Sequence, residues 1–143
     1  MKNKRFNRNI FGDLSTQRQA QKALPILVSY AQRGETITLQ ELAAEIAPDL
    51  THFNWSMRWT LAWTQTTLYE LERSDNWNFG EIPCMTAIIV DSHETPTTRM
   101  DMDTRIDPNT PLSWRAYKTN HVLPVFEYPY WEQVMDFVIG RLR

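Results

Sequence analysis

Between Gly34 and Val90 the sequence prescribes two helices separated by a short break and followed by the start of a sheet, an order that few folds accommodate. In Gly34-Glu-Thr-Ile-Thr-Leu-Gln-Glu-Leu-Ala-Ala-Glu-Ile46, Thr38 is placed to cap the first amides of a helix. Glu41 is placed to reach back to that cap, a capping box. Pro48 ends this helix after about two turns, because proline removes a donor and disfavours helix at the residue before it. Thr51 or Asn54 can cap a second, longer helix that runs to about Glu72. The apolar run Ile82–Val90 then reads as a mostly buried strand, short and β-branched at its end. The expected class is α+β: a winged helix-turn-helix core with an added C-terminal strand and helix.

The flanking segments fit around that unit. From Thr16, the spacing Ala20, Leu24, Leu27, Ala31 follows the helical repeat, and Ile26, Val28 and Tyr30 widen its apolar face. Pro25 predicts a kink or a second segment there, and Gly34 a stop. In the long helix, Met57, Leu61, Leu68 and Leu71 form one apolar stripe and Trp55, Trp59 and Trp63 a second. A helix so apolar is either wrapped by the rest of the chain or turns one stripe toward a partner. Arg73–Glu81 reads as a polar loop carrying Trp77 and Phe79. Beyond it, the alternation Met100, Met102 fits a returning wing strand. After Pro111, the pattern predicts a short helix at Trp114 and Tyr117, and a strand over Val122–Tyr128 interrupted by Pro124. A final helix over Tyr130–Leu142 carries Trp131, Val134, Met135, Val138, Ile139 and Leu142 at helical spacing.

The 143 residues, 42% of them hydrophobic, suit one domain over 13–143 behind an arm of residues 1–12. No apolar run reaches the roughly eighteen residues a membrane span needs, and the N-terminus lacks the apolar core of a signal peptide, so a cytoplasmic protein is expected. A single cysteine, Cys84, leaves no partner for an internal disulfide. His52, His93 and His121 share no ligand-type spacing, so neither metal nor other cofactor is expected. The net charge of -2 conceals an asymmetry. Residues 1–33 carry Lys2, Lys4, Arg5, Arg8, Arg18, Lys22 and Arg33 against Asp13 alone, a net of +6, and the remainder carries -8. A basic arm of this kind neutralises nucleic-acid phosphates or pairs with an acidic protein surface. Phe6, Ile10 and Phe11 can anchor it.

Gly34-Glu-Thr-Ile-Thr-Leu-Gln-Glu-Leu-Ala43, then Arg58, then Ile82-Pro83-Cys84 together resemble the DNA-binding domain of the alkylguanine-DNA alkyltransferases and the alkyltransferase-like proteins, over about residues 20–90. The resemblance implies a winged helix-turn-helix whose second helix enters the minor groove. It implies that Arg58 fills the gap left by a flipped base and that Cys84 accepts the alkyl group. The chain departs from the pattern where the family follows its cysteine with histidine and arginine, since Met85 and Thr86 stand there. Leu39 replaces the family's tyrosine, and Gln40 its small residue. Without an adjacent base the thiol is expected near its ordinary pKa of about 8.5, or higher with burial, which makes Cys84 a packing cysteine.

The expected function is that of a non-catalytic protein binding DNA or another nucleic acid through Lys2, Lys4, Arg5, Arg8, Gln40 and Arg58. The alternative is a protein-interaction module that uses Trp55 and Trp59, types enriched at interfaces, or the acidic residues Asp91, Glu94, Asp101, Asp103 and Asp107. A third reading is an alkyltransferase with Cys84 as acceptor. Ser-His-Asp, phosphate-loop and zinc motifs have no match in the chain, so no enzyme activity and no small-molecule substrate are expected.

Overall fold

Helix α1 (Ser15–Arg33) is the element against which the others pack. The computed structural model describes residues 8–46, 55–92, 95–96 and 114–142, with side chains over 8–46, 60–90 and 115–142. α1 buries Ala20, Ala23, Leu24, Leu27, Val28 and Ala31, the face its periodicity predicts. It runs unbroken through Pro25, whose ring lies on the solvent side. Gly34 closes α1 in the left-handed region at φ 71°, where its N–H donates to the Ala31 carbonyl at 3.1 Å. Strand β1 (Ile37–Thr38) leads directly into helix α2 (Leu39–Ile46). The Glu41 N–H donates to Thr38 Oγ1 at 3.1 Å and the Thr38 N–H to Glu41 Oε1 at 2.9 Å, which is the predicted capping box. Leu39, Leu42, Ala43 and Ile46 form the buried face of α2.

Helix α3 (Trp55–Glu72) lies along α1. Tyr69 and Glu70 are exposed and the side chains of Trp55, Met57 and Trp59 lie outside the described residues, whereas over Thr60–Leu68 the circumference of the helix is buried or half-buried by the rest of the chain, Leu61 and Trp63 included. Its threonines tolerate this because they bond backward: Thr64 Oγ1 donates to the Thr60 carbonyl at 2.9 Å, and Thr67 Oγ1 to that of Trp63 at 2.7 Å. Trp63 is buried, with its indole N–H on Thr16 Oγ1 at 3.0 Å.

The run Ile82–Val90 is not one strand. Residues 81–84 are irregular, Met85–Ile88 form a 3-10 helix, and only Ile89–Ser92 are strand β2. The run is apolar because all of Met85–Val90 is buried, a property that a short helical turn shares with a buried strand. β2 pairs in parallel with β1, Ile37 opposite Ile89, and antiparallel with β3 (Thr95–Pro96) across an irregularity between Val90 and Ser92. The sheet order is β1-β2-β3, and the class is α+β. The expected strand around Met100 and Met102 falls outside the described residues.

The predicted C-terminal strand Val122–Tyr128 is helical. Helix α4 (Trp114–Tyr117) passes through a π-helical turn, Lys118–Val122, into helix α5 (Leu123–Glu127). Pro124 sits at the start of α5, directly after the π-helical turn, where the Leu123 N–H donates to the Lys118 carbonyl. Helix α6 (Trp131–Leu142) docks by Trp131, Val134 and Val138, and the Trp131 indole N–H donates to the Val125 carbonyl at 2.9 Å.

Residues 9–11, which the sequence places in the arm, are packed into the body. Ile10 is fully buried, and its N–H donates to Thr67 Oγ1 at 3.0 Å. Gln17 Nε2 bonds the Asn9 carbonyl at 3.2 Å, and Gln21 Nε2 the carbonyls of Ile10 at 2.7 Å and Gly12 at 3.0 Å. A Cβ at position 12 would collide with the end of the Gln17 side chain, which would have to leave its bonds to the Leu14 N–H and the Asn9 carbonyl.

Candidate functional site

Of the residues expected to meet nucleic acid, Arg8 is exposed just before the packed segment, and Lys2, Lys4 and Arg5 lie outside the described residues. Gln40 is exposed on α2, flanked on the same helix by exposed Glu41 and Glu45, so α2 offers an acidic rather than a basic face. Arg58, Trp55 and Trp59 belong to the first turns of α3, and their side chains lie outside the described residues, as does the acidic run beyond Val90. Exposed positive charge lies on α1, whose sequence has no acidic residue, and also at Arg115 and Lys118 later in the chain. Arg18 and Lys22 stand one turn apart on its solvent face, in line with exposed Pro25, Ser29 and Arg33. Arg33 is engaged, 3.6 Å from Glu35 and with its guanidinium 4.3 Å above the Tyr30 ring.

A second locus is a cavity of about 440 Å³ lined by Glu81, Pro83, Cys84, Asn120, His121, Pro124 and Tyr128. One wall is the irregular segment 81–84. The other is the π-helical turn with the start of α5, which sets Asn120, His121 and Pro124 on the opposite side. A π-helical turn widens the helix by one residue, and such turns recur at functional sites. Cys84 is 7% exposed and sits 3.3 Å, Sγ to Oγ1, from Thr86. Its carbonyl accepts the Ala87 N–H at 3.0 Å, the bond that closes the 3-10 turn.

Two tyrosines fix the walls. The Tyr117 hydroxyl donates to the Ala87 carbonyl at 2.9 Å, joining α4 to the turn after Cys84, and its ring lies 5.3 Å from that of His121. Burial first, and the neighbouring Cys84 second, push the Tyr117 hydroxyl far above its ordinary value, so it remains a neutral donor. Tyr128 packs edge-on against Trp131, ring centres 4.8 Å apart, and donates to the Phe79 carbonyl at 3.4 Å. Burial, then the charges of Glu72 and Tyr130, push its hydroxyl up to about 12.

Met85 and Thr86 offer no base, but His121 lines the same cavity as the thiol. Nothing local to His121 signals this shared lining, because it depends on the π-helical turn and α5 packing beside the 3-10 helix. Among the described residues, no group of three His, Cys, Asp or Glu side chains is placed to hold a metal ion. No helix among them is long and apolar enough to cross a membrane. Compared with protein-family models, curated proteins and solved structures, the chain matches none.

Proposed function

We propose that the chain is a non-catalytic winged-helix protein that binds nucleic acid through its basic N-terminal arm, the solvent face of α1 and the helix-turn-helix region. The observation that carries the reading is the exposed pair Arg18 and Lys22 on a helix without acidic residues, which continues the charge of Lys2, Lys4, Arg5 and Arg8 onto the folded body. The element order α1-β1-α2-α3-β2-β3, with β1 joined to β2, supports the winged-helix part. Gln40, exposed on α2, and Arg58, in the first turns of α3, belong to the proposed interface. A cytoplasmic setting belongs to the proposal and agrees with the buried free thiol of Cys84.

The test is fluorescence anisotropy with a labelled duplex and a labelled single strand at low and moderate salt. The comparison is between the whole chain and a variant with Lys2, Lys4 and Arg5 changed to Gln. Removing residues 1–12 is unsuitable, since it would also excise buried Ile10. Binding that weakens steeply with salt and falls in the variant supports the reading, because each cation withdrawn from a phosphate lowers the salt slope by about one. Absence of binding at low salt overturns it. Exposed Ile139 and Leu142, three residues apart on α6, favour a second reading, a protein-interaction module.

A further inference from the structure

We propose that the cluster of aromatic rings joining the loop after α3 to α6 is a docking surface for an arginine-rich segment of a partner protein, whose guanidinium groups lie over the exposed rings. The inference goes beyond nucleic-acid binding and does not rest on it.

The cluster is continuous. Phe137 meets Trp77 with ring centres 5.6 Å apart, Trp77 meets Phe79 at 5.0 Å, and Phe79 meets Tyr130 at 4.9 Å. Tyr130 meets Tyr128 at 5.6 Å, and Tyr128 meets Trp131 at 4.8 Å. Edge-on and tilted contacts hold the rings against one another, so the surface exists before anything binds. Trp77 and Trp131 anchor it in the core, whereas Tyr130 and Phe137 are exposed and Phe79 and Tyr128 half-buried. The Trp77 and Trp131 indole N–H groups donate to the Gly80 and Val125 carbonyls, and the Tyr128 hydroxyl to that of Phe79. Apart from the Tyr130 hydroxyl, the cluster therefore offers ring surface rather than hydrogen-bond donors.

Two observations select a cation as the occupant. Residues 72–81 and 127–137, which carry the rings, hold one basic residue, Arg73, against six acidic ones, a net of -5. Asp75, Glu81, Glu127, Glu132 and Asp136 are exposed, and the charge of Glu72 acts on Tyr128. Such a field draws in a basic partner and repels the phosphates of nucleic acid.

The second observation is where the chain's own arginines lie. Arg33 stands 4.3 Å over the Tyr30 ring, Arg73 4.0 Å over Tyr69, and Arg141 4.2 Å over Phe11. Among the described residues, no cation stands over Phe79, Tyr128, Tyr130 or Phe137. The acidic segments thus carry the rings that the chain leaves without a cation. Arginine suits them better than lysine, because its planar guanidinium stacks on a ring while its N–H groups donate to carboxylates. Glu132 and Asp136, exposed one turn apart on the helix that carries Tyr130 and Phe137, supply such carboxylates, and among the described residues neither forms an ion pair.

The probe is a fluorescein-labelled peptide of Arg-Gly repeats, titrated with the full chain by fluorescence anisotropy at moderate salt. The expected result is saturable binding that weakens about tenfold or more when citrulline, uncharged and of nearly the same shape, replaces arginine. Tyr130→Leu with Phe137→Leu keeps apolar area but removes the ring faces, and should weaken binding to a similar degree. Glu132→Gln with Asp136→Asn changes exposed positions only and should weaken it about threefold or more, so the proposal stays testable if the ring variant fails to fold by circular dichroism. Unaltered affinity in either folded variant, equal binding of the citrulline peptide, or no binding at low salt would overturn the proposal. Tighter peptide binding after Lys2, Lys4 and Arg5 are changed to Gln would make the chain's own arm the occupant and overturn it too. A labelled single strand whose binding is lost in the ring variant would do the same, in favour of stacked bases.

Discussion

The backbone N–H of Ile10 donates to Thr67 Oγ1 at 3.0 Å, and this bond fastens the end of the N-terminal segment to the middle of α3. Thr67 in turn donates to the Trp63 carbonyl at 2.7 Å, so one hydroxyl serves both the helix and the incoming chain. Asn9 and Ile10 are thus part of the buried body.

Ile10→Ala should therefore destabilise the protein by about 2–4 kcal/mol, because it opens a cavity where the native side chain has no exposed surface. Thr67→Val keeps the shape but leaves the Ile10 N–H buried without its acceptor, at a cost of about 1–3 kcal/mol. Urea denaturation read by tryptophan fluorescence measures both. A change within about 0.5 kcal/mol for Ile10→Ala, as expected of a surface site, would contradict the packing described.

At the start of α2, Thr38→Ala should cost about 1 kcal/mol, since it removes the acceptor for the Glu41 N–H. Glu41→Gln should cost less, because an amide oxygen can still accept the Thr38 N–H, as in a Ser/Thr box closed by Gln. Equal losses from the two variants in the same denaturation assay would show that the carboxylate acts through its charge rather than its geometry.

Alkaline pH should unfold the protein partly through Tyr128. Its folded-state value is raised to about 12 by burial, then by Glu72 and Tyr130, so folding favours the protonated phenol. The contribution is complete below the ordinary tyrosine value of about 10 and is lost as pH rises through about 12. Tyr117, raised further by burial and then by Cys84, extends the loss to higher pH. Thermal melts across this window, with tyrosinate absorbance followed in parallel, should show ionisation coupled to unfolding. Tyr128→Phe should flatten the first part of the decline, and an unchanged decline would exclude Tyr128 as its source.

Elements whose signals are local were legible in the chain. Thr38 and Glu41 mark the start of α2 because both hydrogen bonds close within one turn. Gly34 marks the end of α1 because the left-handed conformation disfavours other residues. The buried face of α1, and Trp131, Val134 and Val138 of α6, follow from helical spacing, whereas Ile139 and Leu142 share that spacing and are exposed. Tertiary packing decided the rest. Ile82–Val90 divides into an irregular segment, a 3-10 helix and a strand, and Val122-Leu123-Pro124 enters a helix, because a short apolar run is equally buried in either geometry. Likewise no spacing rule joins Cys84 to His121. Their shared cavity exists because the π-helical turn and α5 dock beside the 3-10 helix, and the approach of distant segments is fixed by the fit of buried surfaces rather than by local hydrogen bonding.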